Sequence, residues 1–175
     1  MSDRSESPRR QLAAVLPDIP VVEMVYTRRS QAERAALREA FDTEERQAFL
    51  RHLLTERSAE LRARGFTERN LESLRFGKVP HGYNVHHIKP LDDGGDNGFD
   101  NLVLMRAHPD HEAIHRYLDP QLKGLERGQS RTVRLPMPEA GAYRRSGPEA
   151  MRDEPSHSRA PARPARWAGL EGQGR

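Results

Sequence analysis

The chain has 175 residues, with 29 Lys and Arg against 26 Asp and Glu for a net charge of +3; 35% of it is hydrophobic and 31% charged. That allows one domain of ordinary size with a small core plus tails, and the absence of cysteine excludes disulfide staples and leaves histidine and carboxylates as ligands for any metal. No apolar run approaches the ~20 residues needed to cross a bilayer, and none follows the charged start Met1-Ser2-Asp3-Arg4, so neither a membrane segment nor a classical signal peptide is expected.

Charge is unevenly placed. Residues 1–120 hold 18 Lys and Arg against 20 Asp and Glu, whereas residues 121–175 hold 11 against 6. Residues 1–28 read as a flexible leader broken by Pro8, Pro17 and Pro20, in which Ile19-Pro20-Val21-Val22 can dock as an extended piece. Residues 29–80 read as a helical support region. Apolar spacing predicts a helix over Ser30 to Phe41, with Ser30 and Glu33 as a capping box. A second helix restarts at Thr43 and runs to about Arg64, carrying Phe49, Leu50, Leu53, Leu54 and Leu61 on one stripe and stopping at Gly65. Thr67 caps a shorter helix bearing Leu71 and Leu74, which Gly77 and Pro80 end. Arg57, Arg62, Arg64, Arg69, Arg75 and Lys78 make this stretch basic; they read as solvated helix faces or as a phosphate-contacting surface.

The period changes in residues 81–120. Tyr83, Val85 and Ile88 predict a short strand, and Leu102 to Met105 a second. Pro90 to Asp100, with Gly94, Gly95 and Gly98, is the connecting loop. Pro109 fits the first turn of a final helix that Asp119-Pro120 ends. Residues 121–175 read as a basic, largely disordered tail, short of large apolar residues beyond about Met137 except for Trp167.

Five of the eight histidines fall between Gly82 and Asp119. His111 and His115 are four apart on the expected helix and so share a face, half of a metal site. His86 and His87 are adjacent at a strand end, where successive side chains point opposite ways. One can ligate while the other serves as a base. The pattern points to one metal ion held by three imidazoles, with a fourth left free. Lys89, Arg106 and Arg116 flank the site as candidate phosphate contacts. His108 is placed to cap the helix and His81 to lie in a loop, while His52 and His157 have no assigned role.

His86-His87-Ile88-Lys89-Pro90, Gly94-Gly95, Asp100-Asn101-Leu102 and His111-x-x-x-His115, in that order and spacing, resemble the HNH endonucleases. The likeness is greatest to the histidine-rich subgroup of colicin and pyocin DNases and related bacterial effector toxins, and it covers under a quarter of the chain. The resemblance implies a ββα-metal motif, here within an α+β fold supported by N-terminal helices and flanked by disordered termini. It makes His86, His111 and His115 the metal ligands, His87 the general base and Asn101 the residue that ties the loop. It implies one divalent ion (Mg, Mn, Ni or Zn), no small-molecule cofactor, DNA as substrate with low sequence preference, and 5′-phosphate and 3′-hydroxyl product ends. A toxin of this kind would have an acidic immunity protein as partner, and a phage or mobile-element nuclease is the equal alternative. It would be cytoplasmic, or delivered into target cells without a classical signal peptide. Asn84 stands where some colicin DNases carry a carboxylate, so an Arg–Glu support pair is not expected.

Two other readings compete. His111-Glu112-Ala113-Ile114-His115 is literally H-E-x-x-H, the zinc-protease motif. The longer form of that motif needs Gly at position 118 and His at 121, where the chain has Leu118 and Gln121. A non-catalytic HNH module that only binds nucleic acid is the other, although ligands and base are all present.

Overall fold

A computed structural model of the protein describes residues 8–144; the tail beyond them, with His157 and Trp167, lies outside the described residues, as do residues 1–7. The fold is mixed helix and sheet. It departs from the sequence reading first in the leader, which forms helix α1 (Pro8–Val15) and strand β1 (Val21–Thr27). Leu12 and Leu16 at α1 are buried, and the docked piece expected around Ile19 to Val22 is where β1 begins.

The two expected helices after it join without a loop between them, and the second kinks at Arg57 (φ −129, ψ 22). Ser30 accepts a hydrogen bond from the Glu33 N–H at 3.4 Å, and its hydroxyl donates to the Glu33 carboxylate at 2.5 Å. Helix α2 (Gln31–Ala40) then passes through a π-helical turn, Phe41–Glu45, into α3 (Arg46–Ala63). Such a turn shifts the helical stripe without breaking the backbone ladder. Gly65, at φ +83, ends α3 as expected. Thr67 caps α4 (Glu68–Arg75) through a reciprocal pair with Asn70.

Strands β2 (Tyr83–His87) and β3 (Leu102–Arg106) pair antiparallel, with His86 opposite Val103 and His87 opposite Leu102. The chain passes through an extended His108 (φ −128, ψ 135) and turns over residues 109–111 into α5 (Glu112–Leu122). The expected stop at Asp119-Pro120 falls two residues short. Pro120 lies inside the helix and forgoes one backbone hydrogen bond there. Gln121 ties this end down, since its amide donates to Arg134 O at 3.0 Å and accepts from Arg134 N–H at 2.9 Å.

Arg134 belongs to a segment expected to be unstructured. Instead β4 (Ser130–Pro136) pairs antiparallel with β1 along its full length, and β5 (Gly141–Ala142) adds to β3 in parallel. The physical reason is a small third core in which Tyr26 of β1, Leu118 and Leu125 pack with Val133 and Leu135 of β4. Neither strand buries its apolar residues alone.

Strand β3 lies at the centre, buried on both faces. Leu102 and Leu104 pack with Phe41, Phe49, Leu50 and Leu74 of the helical layer. Val103 and Met105 pack on the other side with Leu12, Ile114 and Tyr117. The hairpin is therefore a partition, with α2 to α4 on one side and α1 and α5 on the other.

Candidate metal centre

That partition places the adjacent histidines. Val85 belongs to the core shared with the helical layer, so His87, two residues on, faces the same way. His86 faces α5. The opposite orientation expected for the pair is what the strand produces.

On the α5 side His86 meets His111 and His115. One ring nitrogen from each lies within 4.8 Å of the others. The ring centroids are 5.2 Å apart for His86 and His111, 5.8 Å for His86 and His115, and 4.5 Å for His111 and His115. A zinc ion with bonds of ~2.1 Å holds its ligand nitrogens ~3.4 Å apart in a tetrahedron, so small rotamer changes would close this group on an ion. His86 is 6% exposed, His111 half-buried and His115 exposed. The Nε2 of His86 is buried without a hydrogen-bond partner among the described residues. A buried polar nitrogen left unmatched is costly, and a metal ion would match it.

Electrostatics favour the ligating form. Burial, then the neighbouring His111 and His115, hold His86 well below the usual imidazole range. His111 is pushed down to about 4, by burial first and by His115 second, with Asp119 opposing. Both are neutral at pH 7 and so present lone pairs. The His115 Nδ1 lies 3.4 Å from Asp119 Oδ1, the kind of carboxylate support that orients a ligating ring. Three imidazoles suit Zn, Ni or Co better than Mg, which prefers oxygen.

On the other side His87 is satisfied. Its Nε2 is 2.9 Å from Asn97 Oδ1, and its ring packs on Phe41 with centroids 4.5 Å apart. Asn97 donates its amide N–H to Leu37 O at 2.9 Å. A carbonyl only accepts, so this bond fixes the amide with its oxygen toward His87. Nε2 must then carry the proton, and the lone pair of neutral His87 resides on Nδ1. Burial pushes His87 below the ordinary range, and the Asn97 bond opposes that shift.

Asn101 ties the loop. Its oxygen accepts from Lys89 N–H at 2.8 Å, and its amide donates to Lys89 O at 3.0 Å and to Asp96 O at 2.8 Å. The loop folds back so closely that a Cβ at Gly95 would sit 1.9 Å from Lys89 O. Only glycine fits there.

The flanking cations are placed differently from one another. Arg116 is exposed and bonds Glu112, while Lys89 is half-buried. Arg106 is buried, at 5% exposure. Glu112 is held by Arg116 and by His108 Nδ1, the latter at 2.5 Å. The third imidazole beside His111 and His115 comes from upstream, not downstream as an H-E-x-x-H protease requires. His52 stacks on Phe99 at 4.8 Å between centroids, and His81 is exposed.

Sequence reasoning missed Asn97 and Asp119. Asn97 sits in a Gly- and Asp-rich run that reads only as a loop, and nothing local links it to His87. Asp119 did carry a signal, its i+4 spacing from His115.

No family model matches the chain, and no solved structure matches it. Over 129 residues it is 35% identical to YhhZ, an uncharacterized protein of Escherichia coli (strain K12). That stretch is 74% of this chain and 32% of the relative, so the chain spans about a third of the length of the curated relative it matches.

Proposed function

We propose that the chain is a metal-dependent endonuclease of the HNH type, with β2, β3 and α5 as its ββα-metal motif, hydrolysing DNA phosphodiester bonds with low sequence preference. The observation that carries the reading is the convergence of His86, His111 and His115 from the hairpin and the helix, with His86 Nε2 buried and unmatched. The separate seating of His87 supports it.

His86, His111 and His115 would hold one divalent ion through neutral nitrogens. Bound there, the ion supplies charge neutralisation at the phosphate and the leaving 3′ oxygen. His87 accepts the proton of the attacking water at Nδ1. Asn97 keeps the opposite nitrogen protonated, so that lone pair is always the one presented. Asn101 holds the loop carrying Lys89 and Asn97 against the hairpin end. Proton transfer by a positioned imidazole contributes roughly 10²–10⁴-fold. Contacts to backbone phosphates carry little sequence information.

The test is plasmid nicking by metal-stripped protein re-supplied in turn with Mg²⁺, Mn²⁺, Ni²⁺ and Zn²⁺, beside His87→Ala. Metal-dependent cutting that disappears in the variant is expected. A folded wild type inactive with all four metals, or equal cutting by the variant, would overturn the reading.

A further inference from the structure

Away from the metal centre, five cations gather where the end of β1, the start of α2, the β2–β3 loop and the turn before β4 meet: Arg28, Arg29, Arg34, Lys89 and Arg127. Asp92 lies beneath them. It accepts from Arg28 Nε at 2.9 Å, from Tyr26 Oη at 3.3 Å and from Arg127, and pairs with Arg34 Nε at 3.5 Å. The Asp92 side chain is 17% exposed, against 33%, 42% and 36% for Arg28, Arg34 and Arg127. The carboxylate therefore sits inward of partly exposed arginines, of which Arg28 also donates to Leu125 O and Arg127 to Arg29 O and Gln31 Oε1. Asp93, the other acid here, is buried and accepts from Thr27 N–H at 2.5 Å.

Arg29 and Lys89 make the focus of this surface. Arg29 is fixed by its N–H to Asp92 O at 2.6 Å and its Nη1 to Gly95 O at 3.0 Å. Lys89 is fixed through its backbone by Asn101. Their free ends approach one small space over Gly94, where an added Cβ would lie 3.7 Å from both Arg29 Nη2 and Lys89 Nζ. Gly94 has φ +76, so the turn requires glycine and the space stays open. Buried Asp93 interacts with both cations from beneath, and on the open side, over Gly94, an anion would offset their remaining mutual repulsion. A phosphate can accept a charge-assisted bond of ~2.8 Å from each.

We propose that this surface binds the phosphodiester backbone of DNA, with one phosphate over Gly94 between Arg29 and Lys89 and its neighbours along Arg28, Arg34 and Arg127. A single free phosphate would need only the first pair; the spread of the other three suits a strand. The identity of the polyanion rests on the nuclease reading, whereas the surface rests on the cations.

The test is fluorescence anisotropy of a fluorescein-labelled mixed-sequence DNA duplex with the full chain, in chelator, across a KCl series. Arg29→Gln with Lys89→Gln is expected to weaken binding ~10-fold or more at low salt, and to flatten the salt slope by ~0.9 for each phosphate no longer neutralised. Arg69→Gln with Arg75→Gln on α4 removes equal charge and is expected to change both far less. Unaltered affinity and slope in the first pair, an equal weakening in the second, no duplex binding by wild type, or competition by inorganic phosphate as strong as by unlabelled duplex would each overturn the proposal. Because Arg29 also holds the loop, Lys89→Gln alone decides if the double variant fails to fold. The assay needs no turnover. A chain that binds through these residues but never cuts loses only the nuclease reading, and one that cuts with an unchanged slope in Lys89→Gln loses only this one.

Discussion

The two faces of the β2–β3 hairpin hold neighbouring histidines in opposite conditions. His86 is buried against α5 with an unmatched Nε2 and two more imidazoles close by. His87 is buried against the helical layer with its Nε2 matched by Asn97 and its ring on Phe41. A strand's alternation separates the two residues, and the layers on either side then give them different chemistry. One face lacks a partner that an ion would supply; the other is fully built and leaves one nitrogen lone pair.

The largest effect expected from breaking this contrast is on the open face. His86→Ala removes the only buried imidazole of the three, and should weaken zinc binding by well over ~100-fold, more than removal of a mere supporting residue costs. Calorimetric titration of the metal-free protein measures it. On the closed face His87→Ala should leave zinc affinity within a few-fold while nicking falls ~10²–10⁴-fold, so the two substitutions sharpen the division of roles. Asn97→Ala comes next. It leaves Leu37 O and His87 Nε2 unmatched, which should cost ~1–3 kcal/mol in urea unfolding, and it frees the tautomer, which should lower the nicking rate without changing zinc affinity.

The smallest effect is on pH. His86 and His111 are depressed in the fold, His111 to about 4, whereas an unfolded imidazole titrates near its ordinary value. The unfolded chain therefore binds more protons than the native one between ~6.5 and about 4. Metal-free protein should lose stability as pH falls through that window and change little above it. Thermal melts at stepped pH measure this, and saturating zinc should deepen the dependence, because protons then also compete with the ion.

The site was legible largely because its residues are close in sequence. The paired histidines, the i+4 spacing of His111 and His115, the glycines of the tight loop and Asn101 all announce local geometry, and each element formed near where its pattern placed it. What the sequence hid was long-range. Strand β1 finds its partner only in β4, across most of the described chain, and each strand by itself is short and partly polar. Their union depends on a core shared with Leu118 and Leu125 that no single segment displays. Asn97 was hidden for the same reason, because its value comes from Leu37 O and His87 approaching it from two different elements. The burial of Arg106 was hidden likewise, because it follows from both faces of β3 being covered.

The most direct test of the central claim is the zinc coordination shell by X-ray absorption, on wild type, His86→Ala and His87→Ala. One ion per chain is expected, with three imidazole nitrogens at ~2.0–2.1 Å, a shell unchanged in His87→Ala and abolished in His86→Ala. A shell that loses an imidazole in His87→Ala, or stoichiometric binding that survives His86→Ala intact, would contradict the division of the two histidines on which the account stands.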